Sequence, residues 1–95
     1  MTVGPASKPQ RPVGVLSQRV KPQEPTTVLL HPRTGEYYTL DEVGSRIWEL
    51  CDGAHTVAEI AAVIAKEYNA PPGEIERDAL ELLNELEAEQ LVASS

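Results

Sequence analysis

The chain predicts an α+β domain of three short strands followed by three helices. β-Branched and aliphatic runs broken by glycine turns fill the first half, apolar residues recur at helical spacing in the second, and a capping residue stands before the first two helices. Residues 1–12 (MTVGPASKPQRP) hold three prolines and two positive charges, a composition that buries too little apolar area to offset ordering, so a disordered tail is expected there. Residues 13–20 (VGVLSQRV) read as the first strand, because Val13, Val15 and Leu16 are apolar and Lys21-Pro22 ends the run. Residues 26–31 (TTVLLH) form the second strand, Pro32-Arg33-Thr34-Gly35 turns the chain, and residues 36–40 (EYYTL) resume as the third.

Helices occupy the rest. Asp41 is a natural N-cap for a helix whose stripe is Val43, Ile47, Leu50 and Cys51, with Trp48 at its border and Gly53 closing it. Thr56 and Glu59 have the spacing of a capping box, opening a second helix on Val57, Ile60, Ala61, Ile64 and Tyr68. Residues 69–73 (NAPPG) break it, and Ile75, Ala79, Leu82, Leu83 and Leu86 mark one face of a third. Leu80 falls off that stripe, near Asn84 and flanked by Glu76 and Leu83; this apolar shoulder edged with acid fits either a groove wall or a widened core face. Residues 93–95 should fray.

A strand at the rim of a small sheet carries unpaired backbone donors and acceptors that must be shielded or can receive another chain. Residues 36–40 run into a helix within one residue, leaving such an edge beside a helix. Tyr37 and Tyr38 point to opposite sides of their strand, so one packs under the helices and the other leans towards a contact surface.

The chemistry that would make an enzyme is missing. His31 and His55 are far apart in sequence, no Ser or Cys sits in a nucleophile motif, and there is neither a GxxxxGK[ST] nor a GxGxxG phosphate site. The single cysteine, Cys51, has no partner for a disulfide or a CxxC metal pair and lies on the buried stripe at the negative end of its helix. No cofactor or metal is implied. With no signal sequence and no long apolar segment, a cytoplasmic protein without a membrane partner is expected.

The formal charge is −7. Basic residues cluster early, whereas the third helix carries Glu74, Glu76, Asp78, Glu81, Glu85, Glu87 and Glu89 against Arg77 alone. Although the element order permits a winged-helix DNA binder, that helix would be its reader, and its charge opposes a phosphate backbone. A non-catalytic binding module is the reading that survives.

Several local sequences point further. The strand pair around a glycine turn, the strand end at Tyr38 and Leu40, the LCDG helix end at residues 50–53 and the TVAEI helix start at residues 56–60 stand in an order and spacing that resembles PqqD. The resemblance extends to related leader-peptide recognition elements of ribosomally made, post-translationally modified peptides, and it covers residues 13–92. It implies a winged helix-turn-helix-like fold, with a three-stranded antiparallel sheet followed by three helices.

The resemblance also implies a mechanism, in which a precursor leader adds as an antiparallel strand to the third strand, in a cleft walled by the third helix. The implied peptide-binding residues are Glu36, Tyr37, Tyr38, Thr39 and Leu40 on the strand, with Glu76, Leu80, Leu83 and Asn84 on the helix. The implied partners are the leader and a maturation enzyme. Either a lasso-peptide cysteine protease feeding a cyclase, favoured on the YYTL strand and the Trp48 helix, or a radical enzyme of pyrroloquinoline quinone biosynthesis would fill that role.

Overall fold

The structure, a computed structural model, describes residues 3–12, 14–19 and 26–94. Val13 and Val20, the ends of the first expected strand, and its Lys21-Pro22 stop lie outside the described residues, as does Ser95.

Strand β1 (Pro9–Gln10) precedes the main sheet of β2 (Leu16–Arg19), β3 (Thr27–Leu30) and β4 (Tyr37–Leu40). The helices follow as α1 (Glu42–Glu49), α2 (Val57–Tyr68) and α3 (Pro72–Ala88), and β5 (Ala93–Ser94) ends the order. The main sheet is antiparallel in the order β2-β3-β4, so β3 is central and β4 is an edge. Gly35 takes a φ of 74°, the left-handed conformation that lets the β3–β4 loop close, and the His31 N–H donates to the Glu36 carbonyl across it at 2.9 Å. Three antiparallel strands followed by three helices are the fold the sequence predicts.

Alternation sorts the sheet into two faces. Thr27, Leu29 and Leu40 are buried beneath the helices, while Leu16 and Tyr37 on the other face are 59% and 73% exposed. Leu29 and Leu40 join Ile47, Cys51, Val57, Ile60, Ile64, Leu83 and Leu86 in one aliphatic core, each full burial stabilising by about 1.5–3 kcal/mol.

The helices start where their caps dictate. Asp41 accepts from the Gly44 N–H at 2.7 Å, and Thr56 and Glu59 exchange both bonds of the capping box at 2.8 and 3.1 Å. Each such cap is worth about 1 kcal/mol. Asn69 adopts the left-handed conformation at the end of α2, and Pro72 opens α3, where its missing N–H costs nothing. Gly44 lets α1 meet α3 closely: a Cβ there would stand 3.3 Å from both Leu82 Cδ2 and Leu40 Cβ. Tyr68, expected on the core stripe of α2, is exposed instead and hydrogen-bonds Glu42.

Both ends of the chain depart from expectation. Far from forming a tail, residues 3–12 pack along the helices. The Ser7 and Pro5 carbonyls accept from the Val57 and Ala58 amides at 3.0 and 3.1 Å, satisfying donors that the first turn of α2 leaves free. Pro9 accepts from Gly53, and the Arg11 guanidinium donates to the carbonyls of Trp48 and Glu49 at the end of α1. Val3 is 3% exposed and bonded to Asn84. Ala93 and Ser94, expected to fray, pair with Gln10 and Pro9 as β5. The composition argument weighs apolar burial, whereas this segment is held largely by backbone groups, including carbonyls that prolines retain, with Arg11 and Asn84 adding side-chain bonds.

Candidate functional site

Ladder geometry determines which groups of β4 are free. His31 and Glu36 form a hydrogen-bonded pair across the turn, so alternation makes Leu29–Tyr38 and Thr27–Leu40 the next bonded pairs. The N–H and C=O groups of Tyr37 and Thr39 therefore point away from β3, along the open edge. An extended chain laid beside β4 would find two donors and two acceptors spaced for an antiparallel ladder.

Alongside that edge runs α3. The Tyr38 side chain reaches under the sheet edge and its hydroxyl donates to the Glu85 carboxylate, spanning the gap from strand to helix. This bond, burial and the charges of Glu85 and Glu89 raise the Tyr38 phenol above its ordinary range. Tyr38 divides the groove. On one side lies a cavity of about 230 Å³ bounded by His31, Glu36, Tyr37, Ala88, Glu89 and Gln90. On the other, Tyr38 and Thr39 share a hollow with Leu40, Asp41, Gly44 and Leu82. Asp41, Gly44 and Leu82 also line an adjoining cavity of about 320 Å³ between α1 and α3, with Val43, Ile47 and Ile75 at its floor and Asp78, Glu81 and Glu85 on its wall.

The expected site residues divide accordingly. Tyr37, Tyr38 and Thr39 stand on the open edge, with Glu36 exposed at its start. Leu40, at 2% exposure, is a core side chain whose backbone is occupied by Thr27. The expected helical wall is displaced. Leu83 has no exposed surface, so it packs in the core. Leu80 and Asn84 lie roughly 200° around the helix from Leu82, at 100° per residue, and Glu76 shares their side. Asn84 is engaged there, accepting from the Val3 N–H at 2.7 Å and donating to the carbonyls of Val3 and Leu80 at 3.2 and 2.8 Å. The side of α3 that faces β4 is instead Asp78, Glu81, Leu82, Glu85 and Glu89. Their i, i+3, i+4, i+7, i+11 spacing was visible in the sequence as a stripe beside the core stripe; reading the acids as a single run concealed it.

Burial pushes the Cys51 thiol up to about 12, and its Sγ donates to the Ile47 carbonyl. His55 pairs with Asp52 at 2.8 Å in the exposed α1–α2 loop. Among the described residues no group of three His, Cys, Asp or Glu side chains is placed to hold a metal ion, and no helix is long and apolar enough to cross a membrane.

Known proteins share this architecture. A PqqA binding protein of Xanthomonas campestris pv. campestris (strain B100) is 31% identical over 91 residues, 96% of each chain. TbiB1, solved in complex with the TbiA(beta) leader peptide, is 35% identical with a TM-score of 0.74, over 87% of this chain and 93% of that one. The PqqD truncation of Methylobacterium extorquens PqqCD, solved by NMR as a stand-alone recognition element for ribosomally synthesised and post-translationally modified peptides, is 30% identical with a TM-score of 0.75. That match covers 90% of this chain and 87% of that one. The profile of the family described as Coenzyme PQQ synthesis protein D (PqqD) matches residues 26–92, and the chain belongs to that family.

Proposed function

We propose that this protein is a non-catalytic, cytoplasmic adaptor that holds the leader of a ribosomally synthesised precursor peptide as an added strand on β4 and presents the rest of the precursor to separate maturation enzymes. The observation that carries this reading is the open backbone of Tyr37 and Thr39 beside the Tyr38-divided groove. Backbone bonds supply affinity that tolerates sequence variation, and side chains entering on either side of Tyr38 supply selectivity. Ordering a flexible leader costs about 2–5 kcal/mol, so at least one buried anchor must offset it. The peptide-bound state of TbiB1 and the recognition role of the M. extorquens domain support the same reading.

The folded unit takes in the described residues 3–12, 14–19 and 26–94, and its peptide contacts are Tyr37, Tyr38 and Thr39 with Leu82 and Glu85 opposite. We favour a lasso-type cysteine protease, and beyond it a cyclase, as the enzyme that receives the precursor. The PqqA-binding relatives favour a second reading, in which the precursor is of PqqA type and the enzyme a radical one. Fluorescence-polarisation titration with the leader encoded beside the gene tests the function. Saturable binding that is lost when the leader amides facing β4 are N-methylated is expected; binding indifferent to N-methylation rejects strand addition. Co-purification of the protein and precursor with each candidate enzyme separates the two pathways.

A further inference from the structure

The groove has a chemical bias that strand addition alone does not require. The α1–α3 cavity has an apolar floor of Val43, Ile47, Ile75 and Leu82, and its rim carries the carboxylates of Asp41, Asp78, Glu81 and Glu85. Among the described residues no Lys or Arg lines that cavity or the hollow joining it to Thr39. An aliphatic side chain would cover the floor but take water from the Asp78 and Glu81 carboxylates without giving them a donor, whereas Asp41 and Glu85 already accept from the Gly44 N–H and the Tyr38 hydroxyl. An acidic side chain would meet like charge on every wall. A lysine or arginine satisfies both layers, because its methylene stem lies on apolar surface while its charged head stays at a polar rim.

We propose that the peptide bound at β4 is cationic at this point, with a lysine or arginine whose stem lies on Val43, Ile47 and Leu82 and whose head meets Asp78, Glu81 and Glu85. This inference rests on the strand-addition reading and specifies its ligand. Because the added strand runs antiparallel to β4 and the cavity lies beyond Thr39, the basic residue belongs to the N-terminal part of the docked segment. The cavity beyond Glu36 then receives a side chain about four residues later, since side chains on one face recur every second residue.

The test uses the whole protein and four labelled twelve-residue peptides of alternating Ser and Val. Three carry Lys, norleucine or Glu at one position of the inserted face, and the fourth is the Lys peptide N-methylated on its β4-facing amides. Norleucine keeps the stem and removes the charge. The Lys peptide is expected to bind about tenfold more tightly than the norleucine peptide, with the Glu peptide weakest and the advantage shrinking as salt screens the rim. In Asp78→Asn/Glu81→Gln the preference for Lys should fall below about threefold. Norleucine binding as tightly as Lys to the wild type overturns the proposal and leaves strand addition standing if N-methylation still abolishes binding. Equal binding of the methylated and unmethylated Lys peptides, with Lys still preferred, overturns strand addition while the acidic pocket stands. Failure of all four peptides to bind overturns both.

Discussion

Asn84 separates the two possible walls of the peptide groove. It tethers Val3 through two hydrogen bonds and also caps the Leu80 carbonyl, on the side of α3 opposite Leu82. Asn84→Ala removes all three bonds. At about 0.5–1.5 kcal/mol net for each Val3 bond, the loss is about 1–3 kcal/mol, and the Leu80 carbonyl can turn to water. Alanine returns about 0.5 kcal/mol through its better helix propensity. The net destabilisation should be about 0.5–2.5 kcal/mol, a fall in Tm of roughly 2–20 °C for a domain of this size.

Urea unfolding measures the energy, and amide exchange locates it. The Val57 and Ala58 amides, held by Ser7 and Pro5, should exchange faster once Val3 is released. Leader binding should stay within about twofold of wild type, since Asn84 touches no groove residue. Glu85→Ala, by contrast, should weaken a cationic leader. An Asn84→Ala protein of normal stability that has lost leader binding would falsify the assignment, showing that the peptide lies on the Leu80–Asn84 side.

Other consequences are local. The Asp52 carboxyl is held down at about 2, mainly by the Ala54 N–H and then by the His55 ring. Its contribution to stability is fully present above the unfolded value near 4 and is lost as pH falls through about 2, so urea midpoints between pH 4 and 2 should fall less in Asp52→Asn than in wild type. The raised Tyr38 phenol has the opposite sign: its contribution is present below about pH 10 and lost at higher pH, and Tyr38→Phe should flatten that alkaline limb in a urea titration. Tyr38→Ala removes the divider of the groove and should weaken leader binding about tenfold or more by polarisation, whereas Glu67→Gln, which alters only the exposed pair with Arg46, should not. Cys51 should react with a thiol reagent at pH 8 only at the rate of unfolding, because its sulfur is buried and its pKa lies near 12.

Most of the fold is legible because each element carries its own signal. Asp41 and the Thr56–Glu59 pair mark helix starts by satisfying orphan donors, residues 69–73 mark the break before α3, and Gly35 marks the turn. The β4 edge is legible for the same reason, since residues 37–40 alternate between one face and the other. Features that depend on which surfaces meet are hidden. Leu82 reads as part of the core stripe and Leu80 as the shoulder beside it, and only the close approach at Gly44 brings Leu82 to the β4 side. The N-terminal segment is hidden more deeply, because most of its bonds run through backbone groups that every sequence possesses, with only Arg11 and Asn84 adding side-chain bonds.

That segment occupies the side of α3 away from β4. Val3 is buried there and bonded to Asn84. On the β4 side, Tyr37 and Thr39 keep their backbone groups turned outward while Asp78, Glu81, Glu85 and Glu89 line the approach. An acidic wall beside an unpaired edge also restrains self-association, because a second copy docking its own β4 would bring these carboxylates towards one another. Neutralising them with Asp78→Asn/Glu81→Gln/Glu85→Gln should therefore shift the free protein towards dimers in sedimentation at low salt. If it stays monomeric at every concentration where wild type does, the wall serves recognition of the peptide and not protection of the edge.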